Sequence, residues 1–409
     1  MALKYDEEIE KGYTPRTVME EASRCLLCHD APCSKSCPAG TDPGKFIRSV
    51  RLKNVKGAAE TIRENNVLGA ICARVCPTEK YCQLGCSRSG IDSPIDIGRI
   101  QRFVTDFEAC TKMKILKKVK SNGKKIAIVG SGPSALQASA SLLKMGYEVE
   151  IFEKSKKAGG YLRYGIPEYR LPSDVLDTEI ARIVELGLKI HTSVNVGKDI
   201  SLDDLKKNHD AVILAIGASD AKILPMFENN PYVETAVSFL ARAKDEKGKI
   251  VIEDNVLVIG GGDVAMDVDT TLKLLGAINV TDVVYEEFRE FRASKKELAG
   301  AQALGVSIID GYVPISVKAD EVTFKHRRLE SELKIKAKKI ILAVGQVVNA
   351  SGFPINIVKN EVDVEGYKTK DSKVFVTGDI AHNDKTVVWA VRKGKEVAYV
   401  VANSIGGAK

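Results

Sequence analysis

Two segments of the chain repeat the same order of predicted elements: a short apolar strand, a glycine-rich turn, a helix and a second strand. They are KKIAIVGSGPSALQASASLLKMGYEVEIFEK, residues 124–154, and DNVLVIGGGDVAMDVDTTLKLLGAINVTDVVYEE, residues 254–287. A later apolar strand follows each segment at a similar distance and ends in glycine, at Gly217 and at Gly345. Strand–helix–strand order with short loops is typical of parallel sheets. The repeat therefore predicts two α/β domains of related fold.

A cluster of cysteines marks a third domain, ahead of the repeat. Eight of the nine cysteines lie between Cys25 and Cys86. They form two strings, Cys25, Cys28, Cys33 and Cys37 followed by proline, and Cys72, Cys76, Cys82 and Cys86. The first string is close to the ferredoxin pattern, in which three cysteines hold one cluster and the fourth serves another. The count predicts two 4Fe–4S clusters, and a pair of structural zinc sites is the alternative. Cys110 has no partner string, and we expect it to be a small buried apolar side chain.

Composition and charge restrict the class of protein. The 409 residues are 44% hydrophobic and 28% charged, as in a globular protein of two to three domains. The sequence has no long apolar run, and its start, MALKYDEEIE, lacks the basic and apolar parts of a signal peptide, so we expect a cytoplasmic protein. The net charge of +7 is concentrated in Lys112–Lys125, which we interpret as a solvated linker. Neither a nucleic acid nor a membrane is an expected partner.

The first glycine-rich turn has the features of a dinucleotide site. Its small residues allow the backbone to approach a pyrophosphate at the N-terminus of the next helix. They are Gly130, Ser131, Gly132, Pro133, Ser134 and Ala135. Glu153 ends the following strand, where an acidic group accepts hydrogen bonds from ribose hydroxyls. The Gly159-Gly160 pair adds to the case for FAD at this turn.

The second turn is predicted to bind a nicotinamide nucleotide. It comprises Gly260, Gly261, Gly262, Asp263 and Val264 and leads into a helix that we expect to end near Leu275. Glu286 and Glu287 follow the second strand, and a carboxylate there accepts from a free 2′-hydroxyl but repels a 2′-phosphate. This favours NADH over NADPH. Arg289 and Arg292 lie close by and could reach a phosphate, so the alternative that the two glutamates merely face solvent stays open.

The predicted fold class is α/β with an N-terminal α-helical iron–sulfur domain and two Rossmann-like domains, the NAD domain being inserted in the FAD domain. The terminal stretch has only a short strand and one amphipathic helix, so it must dock on an earlier domain. The predicted boundaries are 1–115 for the iron–sulfur domain, 116–123 for a linker, 124–220 and 346–409 for the two parts of the FAD domain, and 221–345 for the NAD domain.

The whole chain resembles the flavin and iron–sulfur subunits of bacterial NAD-dependent dihydropyrimidine dehydrogenase. The resemblance is carried by EASRCLLCHDAPCSKSCPAGTDPGKFIRSV, GAAETIRENNVLGAICARVCPTEKYCQLGC, PIDIGRIQRFVTDFE, VIGGGDVAMDV and a terminal GDI-x5-TVV segment. The wider family includes the N-terminal half of eukaryotic dihydropyrimidine dehydrogenase and the small subunit of glutamate synthase, which have the same succession of domains.

The resemblance implies a residue set for each cofactor. One 4Fe–4S cluster would be held by Cys25, Cys28, Cys33 and Cys86, and the other by Cys37, Cys76, Cys82 and Gln101. Spacing alone favours Cys72 over Gln101, whereas the resemblance makes Cys72 a bystander. Beyond the Gly130 turn, Glu153 and Gly160, FAD contacts are implied at Tyr161, Arg170, Val196, Gly378, Asp379, Thr386 and Val387. Relatives that use NADPH carry basic residues where this chain has Glu286 and Glu287, which again favours NADH. Arg292 is included in the predicted nucleotide site.

The function that we expect is the NADH-oxidising, electron-input half of dihydropyrimidine dehydrogenase. A hydride would pass from NADH to FAD, and single electrons would pass through two clusters to a partner that carries FMN and further clusters and reduces uracil or thymine. The family suggests two copies of each subunit. No side chain is expected to act as an acid or base. The alternatives are the small subunit of glutamate synthase or another NAD(P)H reductase, and a cluster-bearing assembly or redox-sensing module without turnover.

Overall fold

A computed structural model describes residues 4–218, 220–353, 355–381 and 384–406. The helices of the N-terminal stretch are α1 Pro15–Ser23, α2 Pro32–Lys35, α3 Pro43–Arg51, α4 Val55–Asn65, α5 Gly69–Val75 and α6 Ile97–Cys110. The next stretch holds β1 Lys125–Val129, α7 Pro133–Lys144, β2 Glu148–Glu153, α8 Tyr161–Tyr164, α9 Ser173–Glu185, β3 Lys189–Thr192, α10 Leu202–Asn208 and β4 Ala211–Leu214.

The second half of the chain is richer in strands. It continues with β5 Asp220–Ala221, β6 Val233–Thr235, α11 Ala236–Asp245, β7 Asn255–Ile259, α12 Asp263–Leu274, β8 Asn279–Val283, α13 Lys295–Ala303 and β9 Ser307–Ile309. The remaining elements are β10 Tyr312–Lys318, β11 Glu321–His326, β12 Glu332–Lys336, β13 Lys339–Leu342, β14 Gln346–Val347, β15 Ile357–Val358, β16 Glu361–Val362, β17 Val374–Val376 and α14 Val387–Ile405.

The chain divides into two compact units. The smaller unit comprises Met1–Ile9, Arg163–Pro172 and Ala218–Asn349, and the larger unit comprises Glu10–Leu162, Ser173–Gly217 and Ala350–Lys409. The strands of the smaller unit's sheets lie in sequence between β4 and β17, which belong to one sheet of the larger unit. The second α/β domain is thus inserted in the first, as the fold class predicted.

The larger unit is built on a parallel five-stranded sheet in the order β17-β4-β1-β2-β3. β4 is buried along its whole length, as expected for a central strand covered on both faces. β17 pairs with β4, Val374 lying opposite Val212, and α14 packs along α7. The terminal stretch therefore completes the first α/β domain, which confirms that it docks on an earlier domain.

The smaller unit repeats this plan. Its parallel sheet has the order β6-β13-β7-β8-β9, and a separate antiparallel sheet has the order β10-β11-β12. α12 lies on the first sheet, and its buried side chains join a core with Phe239, Leu240, Val256 and Val258. The helix ends at Leu274, one residue before the predicted end.

The N-terminal helices of the larger unit enclose a small apolar core that includes Phe46, Ile47 and Ile62. Residues 43–65 form two helices, α3 and α4, rather than one, because Lys53 has a positive φ of 59° and the Asn54 side chain caps α4 by accepting from the Gly57 N–H at 2.9 Å. The lysine-rich segment that follows α6 forms neither helix nor strand and is mostly exposed up to Gly123. Among the described residues, no helix has both the length and the apolar character needed to cross a membrane.

Candidate functional site

The first glycine-rich turn joins β1 to α7 in the larger unit. Gly130 has a positive φ of 98°, and a Cβ there would come within 2.5 Å of the Ala215 carbonyl oxygen. Within the described part of the chain, by contrast, a Cβ at Gly132 would meet nothing within 4 Å, and no side chain caps α7, which begins with Pro133. A turn with room beside Gly132, at the start of a helix without a side-chain cap, fits a dinucleotide phosphate.

Glu153, at the end of β2, is 5% exposed and lies beside this turn. It accepts a 2.6 Å hydrogen bond from the Ser131 hydroxyl and a 2.8 Å bond from the Ser155 N–H. The Ser131 oxygen also accepts from the Gly159 N–H at 2.9 Å, and a Cβ at Gly160 would come within 2.8 Å of the Gly132 Cα. The structure thus brings the turn, the acid and the glycine pair together. Val196 is also buried. It lies two residues after Val194, whose N–H donates to the Glu153 carbonyl.

The GDI-x5-TVV segment meets the same turn from the other side. The hydroxyls of Ser134 and Thr377 are 2.8 Å apart, and a Cβ at Gly378 would contact Ser134. Asp379 follows, and burial raises the pKa of its carboxyl group. Ala135 is fully buried in α7. Thr386 is the N-cap of α14, and its side chain makes no capping bond to the helix that begins at Val387.

Lys393 holds this segment in place. Its side chain is fully buried, and burial lowers the pKa of its amine. The amine donates to the backbone carbonyls of Gly378, Ala381 and Asp384 at 3.2 to 3.4 Å. A charge so buried is tolerated because it has several acceptors and the Asp379 carboxylate as a neighbour. Sequence reasoning missed Lys393, although a lysine on the apolar face of a predicted helix is a recognisable signal.

The second glycine-rich turn, in the smaller unit, leaves similar space. A Cβ at Gly260 would come within 2.6 Å of the Ala343 oxygen, whereas one at Gly262 would meet no described residue within 4 Å. A Cβ at Gly261 would come within 2.9 Å of a Glu286 carboxylate oxygen, so this carboxylate lies against the turn. Asp263, the first residue of α12, accepts a 2.7 Å bond from the Ser294 N–H, and Val264 packs on the unit's core.

The two glutamates predicted to favour NADH over NADPH have different surroundings. Glu286 pairs with Arg292 at 3.0 Å, and the Arg292 side chain is 81% exposed. Glu287 pairs with Arg328 at 2.8 Å and takes part in a cap with Glu290. Only Glu286 is placed against the glycine turn, so it is the better candidate for contact with the ribose.

Arg170, predicted to contact FAD, belongs to the smaller unit, where its guanidinium bonds both oxygens of Asp267 at 2.8 Å and pairs with Glu297 at 3.3 Å. Asp267 lies on α12, directly after the nucleotide turn. The observed partners of Arg170 are thus carboxylates of the inserted domain, and its contact with FAD stays a prediction. Tyr161 begins α8, and its hydroxyl is buried.

Four of the predicted cluster cysteines line one pocket that is partly open to solvent. They are Cys25, Cys28, Cys33 and Cys86. Burial raises the pKa of Cys33 to about 11, with the neighbouring thiols of Cys86 and Cys25 adding to the rise. Four thiols around one cavity fit a bridged iron–sulfur cluster, which would favour their ionised forms. Among the described residues, no group of three His, Cys, Asp or Glu side chains is arranged to hold a single metal ion.

The remaining thiols of the two strings form a second group. Cys76 interacts with Cys72, Cys82 and Cys37, and burial raises its pKa well above the ordinary value. Cys72 is fully buried, which raises its pKa to about 12. The Gln101 amide nitrogen donates to the Gly69 carbonyl at 2.8 Å, which leaves the amide oxygen as the atom that could bind iron. Cys37, Cys72, Cys76 and Cys82 thus form one group of interacting thiols, and the choice between Cys72 and Gln101 as the fourth ligand stays a prediction.

Two contacts join this second group to α14. The Tyr81 hydroxyl donates to the Asp384 carboxylate at 2.6 Å and lies 3.4 Å from the Thr386 hydroxyl. The Lys395 amine donates to the Ala39 carbonyl at 2.6 Å. Sequence reasoning missed Tyr81 and Lys395, since no local motif identifies them.

The prediction for Cys110 was wrong. It is exposed, because it is the last residue of α6 and lies beyond the face of the helix that packs on the core.

Comparisons with known proteins agree with this arrangement. The family model for dihydropyrimidine dehydrogenase domain II, 4Fe-4S cluster, matches residues 2–113. A Rossmann-like NAD(P)-binding model matches residues 128–195, and the pyridine nucleotide-disulphide oxidoreductase model matches residues 174–394. The cysteine region is therefore an iron–sulfur domain rather than a pair of zinc sites.

Comparisons with individual proteins distinguish between members of the wider family. The NAD-dependent dihydropyrimidine dehydrogenase subunit PreT homolog of Salmonella typhi is 55% identical over 398 residues, 97% of this chain and 96% of the relative. The glutamate synthase (NADPH) small chain of Halomonas elongata is 28% identical over 433 residues, 95% of this chain and 91% of the relative.

The fold recurs in solved flavoprotein reductases. The structure of Mycobacterium tuberculosis FprA in complex with NADPH has a TM-score of 0.61 and 18% identity, and the match covers 70% of this chain and 85% of FprA. At this identity the likeness shows the fold alone. The sequence likeness to the Salmonella protein extends along nearly the whole of both chains, so this chain belongs to the PreT family of NAD-dependent dihydropyrimidine dehydrogenase subunits.

Proposed function

We propose that this chain is the NADH-oxidising, electron-input subunit of a dihydropyrimidine dehydrogenase. When bound, the cofactors would supply the chemistry: a hydride passes from NADH to FAD, and single electrons pass through two 4Fe–4S clusters to a partner. The observation that carries the proposal is that the flavin-type turn, both cysteine groups and α14 belong to one compact unit, in a chain that is like PreT along almost its whole length.

The residues that would hold each group are the ones described above. The turn at Gly130, with Glu153 and the Gly159-Gly160 pair, would hold FAD, together with the segment from Gly378 to Val387. The turn at Gly260, with Glu286, would hold the nicotinamide nucleotide. The two cysteine groups, the second with Gln101, would hold the clusters.

The chain's own side chains position these groups. Lys393 ties the backbone carbonyls of Gly378, Ala381 and Asp384 to α14, so these three residues are held against that helix. Tyr81, next to Cys82, contacts the residues at the start of the same helix. These contacts link the second cysteine group to the residues that would hold FAD.

A preference for NADH rests on Glu286. Its carboxylate lies against Gly261, where a ribose would sit, and it would accept a hydrogen bond from a 2′-hydroxyl. A 2′-phosphate in the same place would be repelled by like charge, although Arg292 partly offsets that charge.

The partner that we propose carries FMN and further iron–sulfur clusters and reduces the 5,6-double bond of uracil or thymine in the cytoplasm, in a complex with two copies of each subunit. Both Rossmann-like domains of this chain are assigned to FAD and NADH, which leaves the pyrimidine site to the partner. The relatives named as PreT subunits support this division of labour.

The test is anaerobic stopped-flow mixing of the purified, cofactor-loaded chain with NADH or NADPH, followed at the visible flavin band. Rapid bleaching by NADH and much slower bleaching by NADPH would support the proposed entry of electrons from NADH into the flavin. Preference for NADPH would favour a reductase of the glutamate-synthase type, and no bleaching by either would leave an assembly or sensing module. Dihydrouracil formation after co-expression with a pyrimidine-reducing partner tests the proposed transfer of electrons to that partner.

A further inference from the structure

A buried charge network connects the second cluster's surroundings to α9 in the larger unit. The Arg63 side chain is fully buried and donates to both oxygens of Glu179, at 2.7 Å each, and to Glu108. Arg182 also pairs with Glu108, and the side chains of Glu108 and Glu179 are each 1% exposed. Two arginines and two glutamates make the network neutral overall, which allows its burial.

Glu179 has one contact that Glu108 lacks. Its Oε2 atom accepts the backbone N–H of Ala70 at 3.1 Å, in the first turn of α5. An N–H in the first turn of a helix has no partner within that helix, and Leu68, the N-cap residue, provides no side-chain acceptor. The carboxylate from α9 satisfies this donor.

The same peptide group contacts Gln101 through its other end. The Ala70 N–H and the Gly69 carbonyl belong to one peptide unit, and that carbonyl accepts from the Gln101 side-chain nitrogen at 2.8 Å. A continuous series of hydrogen bonds therefore runs from the Glu179 carboxylate, through the Gly69–Ala70 peptide, to the Gln101 carboxamide. All of its members are at least nine-tenths buried, in a region where hydrogen-bonded amides polarise one another.

We propose that Glu179 is a positioning residue for Gln101 as a ligand of the second cluster. The negative charge of Glu179 polarises the peptide, the more negative Gly69 carbonyl holds the carboxamide nitrogen more tightly, and the carboxamide oxygen becomes a stronger donor to iron. The network thus fixes which way the amide faces and raises the electron density on its ligating oxygen. This inference rests on the proposed role of Gln101 in the preceding function.

The residue contributes from outside the iron–sulfur domain. Glu179 lies on α9, between β2 and β3 of the first Rossmann-like domain, whereas Gln101 lies on α6. The contact therefore makes the surroundings of one cluster depend on the position of a helix of the flavin-binding fold. Outer partners of this kind commonly change metal affinity by about 10-fold to 100-fold when they are removed.

The test compares Glu179→Gln with Glu108→Gln in the full chain loaded with its clusters. Each variant removes one buried carboxylate charge next to Arg63, but only the first changes the acceptor of the Ala70 N–H. We expect Glu179→Gln to change the EPR line shape of the second cluster, to raise its reduction potential, and to speed iron loss to a chelator by about tenfold. Glu108→Gln should keep the wild-type line shape and rate of iron loss. The second cluster's signal is identified as the one lost in Cys76→Ser.

Two further variants separate the possible failures. Glu179→Asp keeps the network neutral, but its side chain is too short to bond both Arg63 and the Ala70 N–H. We therefore expect it to change the second cluster in the same way as Glu179→Gln, and it serves as the test if Glu179→Gln folds poorly. Hydrogen exchange of the Ala70 amide checks that the bond is broken. Equal effects of the Glu179 and Glu108 variants, or no effect of either, would overturn the positioning role. A normal second cluster in Gln101→Ala would instead overturn the ligand assignment itself, and the positioning role with it.

Discussion

The Tyr81 hydroxyl donates a 2.6 Å hydrogen bond to the Asp384 carboxylate, across 303 residues of sequence. Tyr81 lies between two cysteines of the second group, and Asp384 lies just ahead of α14, within the segment expected to face the flavin. Partial burial and the neighbouring carboxylate raise the pKa of the tyrosine, so it remains a protonated donor at neutral pH. The bond connects the two redox regions of the larger unit.

Removing this hydroxyl should weaken the connection without changing hydride entry. For Tyr81→Phe we expect the free energy of unfolding of the larger unit to fall by about 1 kcal/mol, the usual value of one hydrogen bond to a partly exposed group. Flavin bleaching by NADH should stay within about twofold. Denaturant unfolding and stopped-flow absorbance measure the two quantities. Tyr399→Phe, at a 58% exposed position on α14, is the matched control and should change neither.

Glu286 provides a test of nucleotide choice. In Glu286→Gln the residue keeps its size but loses the charge that would accept from the ribose and repel a phosphate. We expect the KM for NADH to rise about tenfold, corresponding to about 1.4 kcal/mol, while the KM for NADPH falls. Steady-state dye reduction with each nucleotide measures both constants.

The control for this experiment is Glu287→Gln. Its carboxylate pairs with Arg328 and takes part in a cap, whereas that of Glu286 lies against Gly261. The selectivity of the Glu287 variant should therefore stay close to that of the wild type. A loss of selectivity in Glu287→Gln and not in Glu286→Gln would show that the acids have been assigned the wrong way round.

A pair of buried aspartates predicts that the stability of the smaller unit depends on pH. Asp269 of α12 and Asp282 of β8 are both fully buried, and their two carboxyl groups interact with each other. Burial raises the pKa of Asp269 to about 8, and burial together with Asp269 raises that of Asp282 well above its ordinary value. The folded state therefore retains protons that the unfolded state releases near pH 4.

The sign of the effect follows from this difference in bound protons. Between about pH 4 and pH 8 the folded state binds more protons, so its stability falls as the pH rises, by up to about 1.4 kcal/mol per pH unit for each proton. Asp269→Asn removes one acid and supplies an amide donor to Asp282, so its profile should be flatter. Hydrogen exchange of peptides from α12 and β8, corrected for intrinsic rates, measures the local opening energy. Parallel profiles for the variant and the wild type would contradict the prediction, and exposed Asp254→Asn is the control.

Local sequence patterns were sufficient for the features that depend on neighbouring residues. The two turns, the strand that ends at Glu153 and the docking of the terminal helix all follow from glycine spacing and from apolar periodicity. Chain direction alone places an acid at the end of β2 next to a turn after β1, because parallel neighbours end at the same edge of a sheet.

Contacts between distant segments could not be predicted in this way. Arg63 and Glu179 are 116 residues apart, and nothing near either residue indicates the other. The charge of Arg63 even argues against burial until its partners are known. Cys110 shows the opposite error: its residue type favours burial, but its position at the end of α6 exposes it.

The ligand set of the second cluster is where spacing and family likeness disagree, and a pair of variants can decide between them. Cys72 lies among the second thiol group, and its pKa is raised to about 12 by full burial, which the Asn66 side chain partly offsets by a hydrogen bond. Gln101 is held by Gly69 with its oxygen available. If Gln101 is the ligand, Cys72→Ser should retain the iron of both clusters and both EPR signals, with a modest loss of stability, because serine is nearly isosteric. Gln101→Ala should then lose or alter the second signal. Loss of the second cluster in Cys72→Ser, together with a normal cluster in Gln101→Ala, would assign the fourth position to the thiolate that spacing favours.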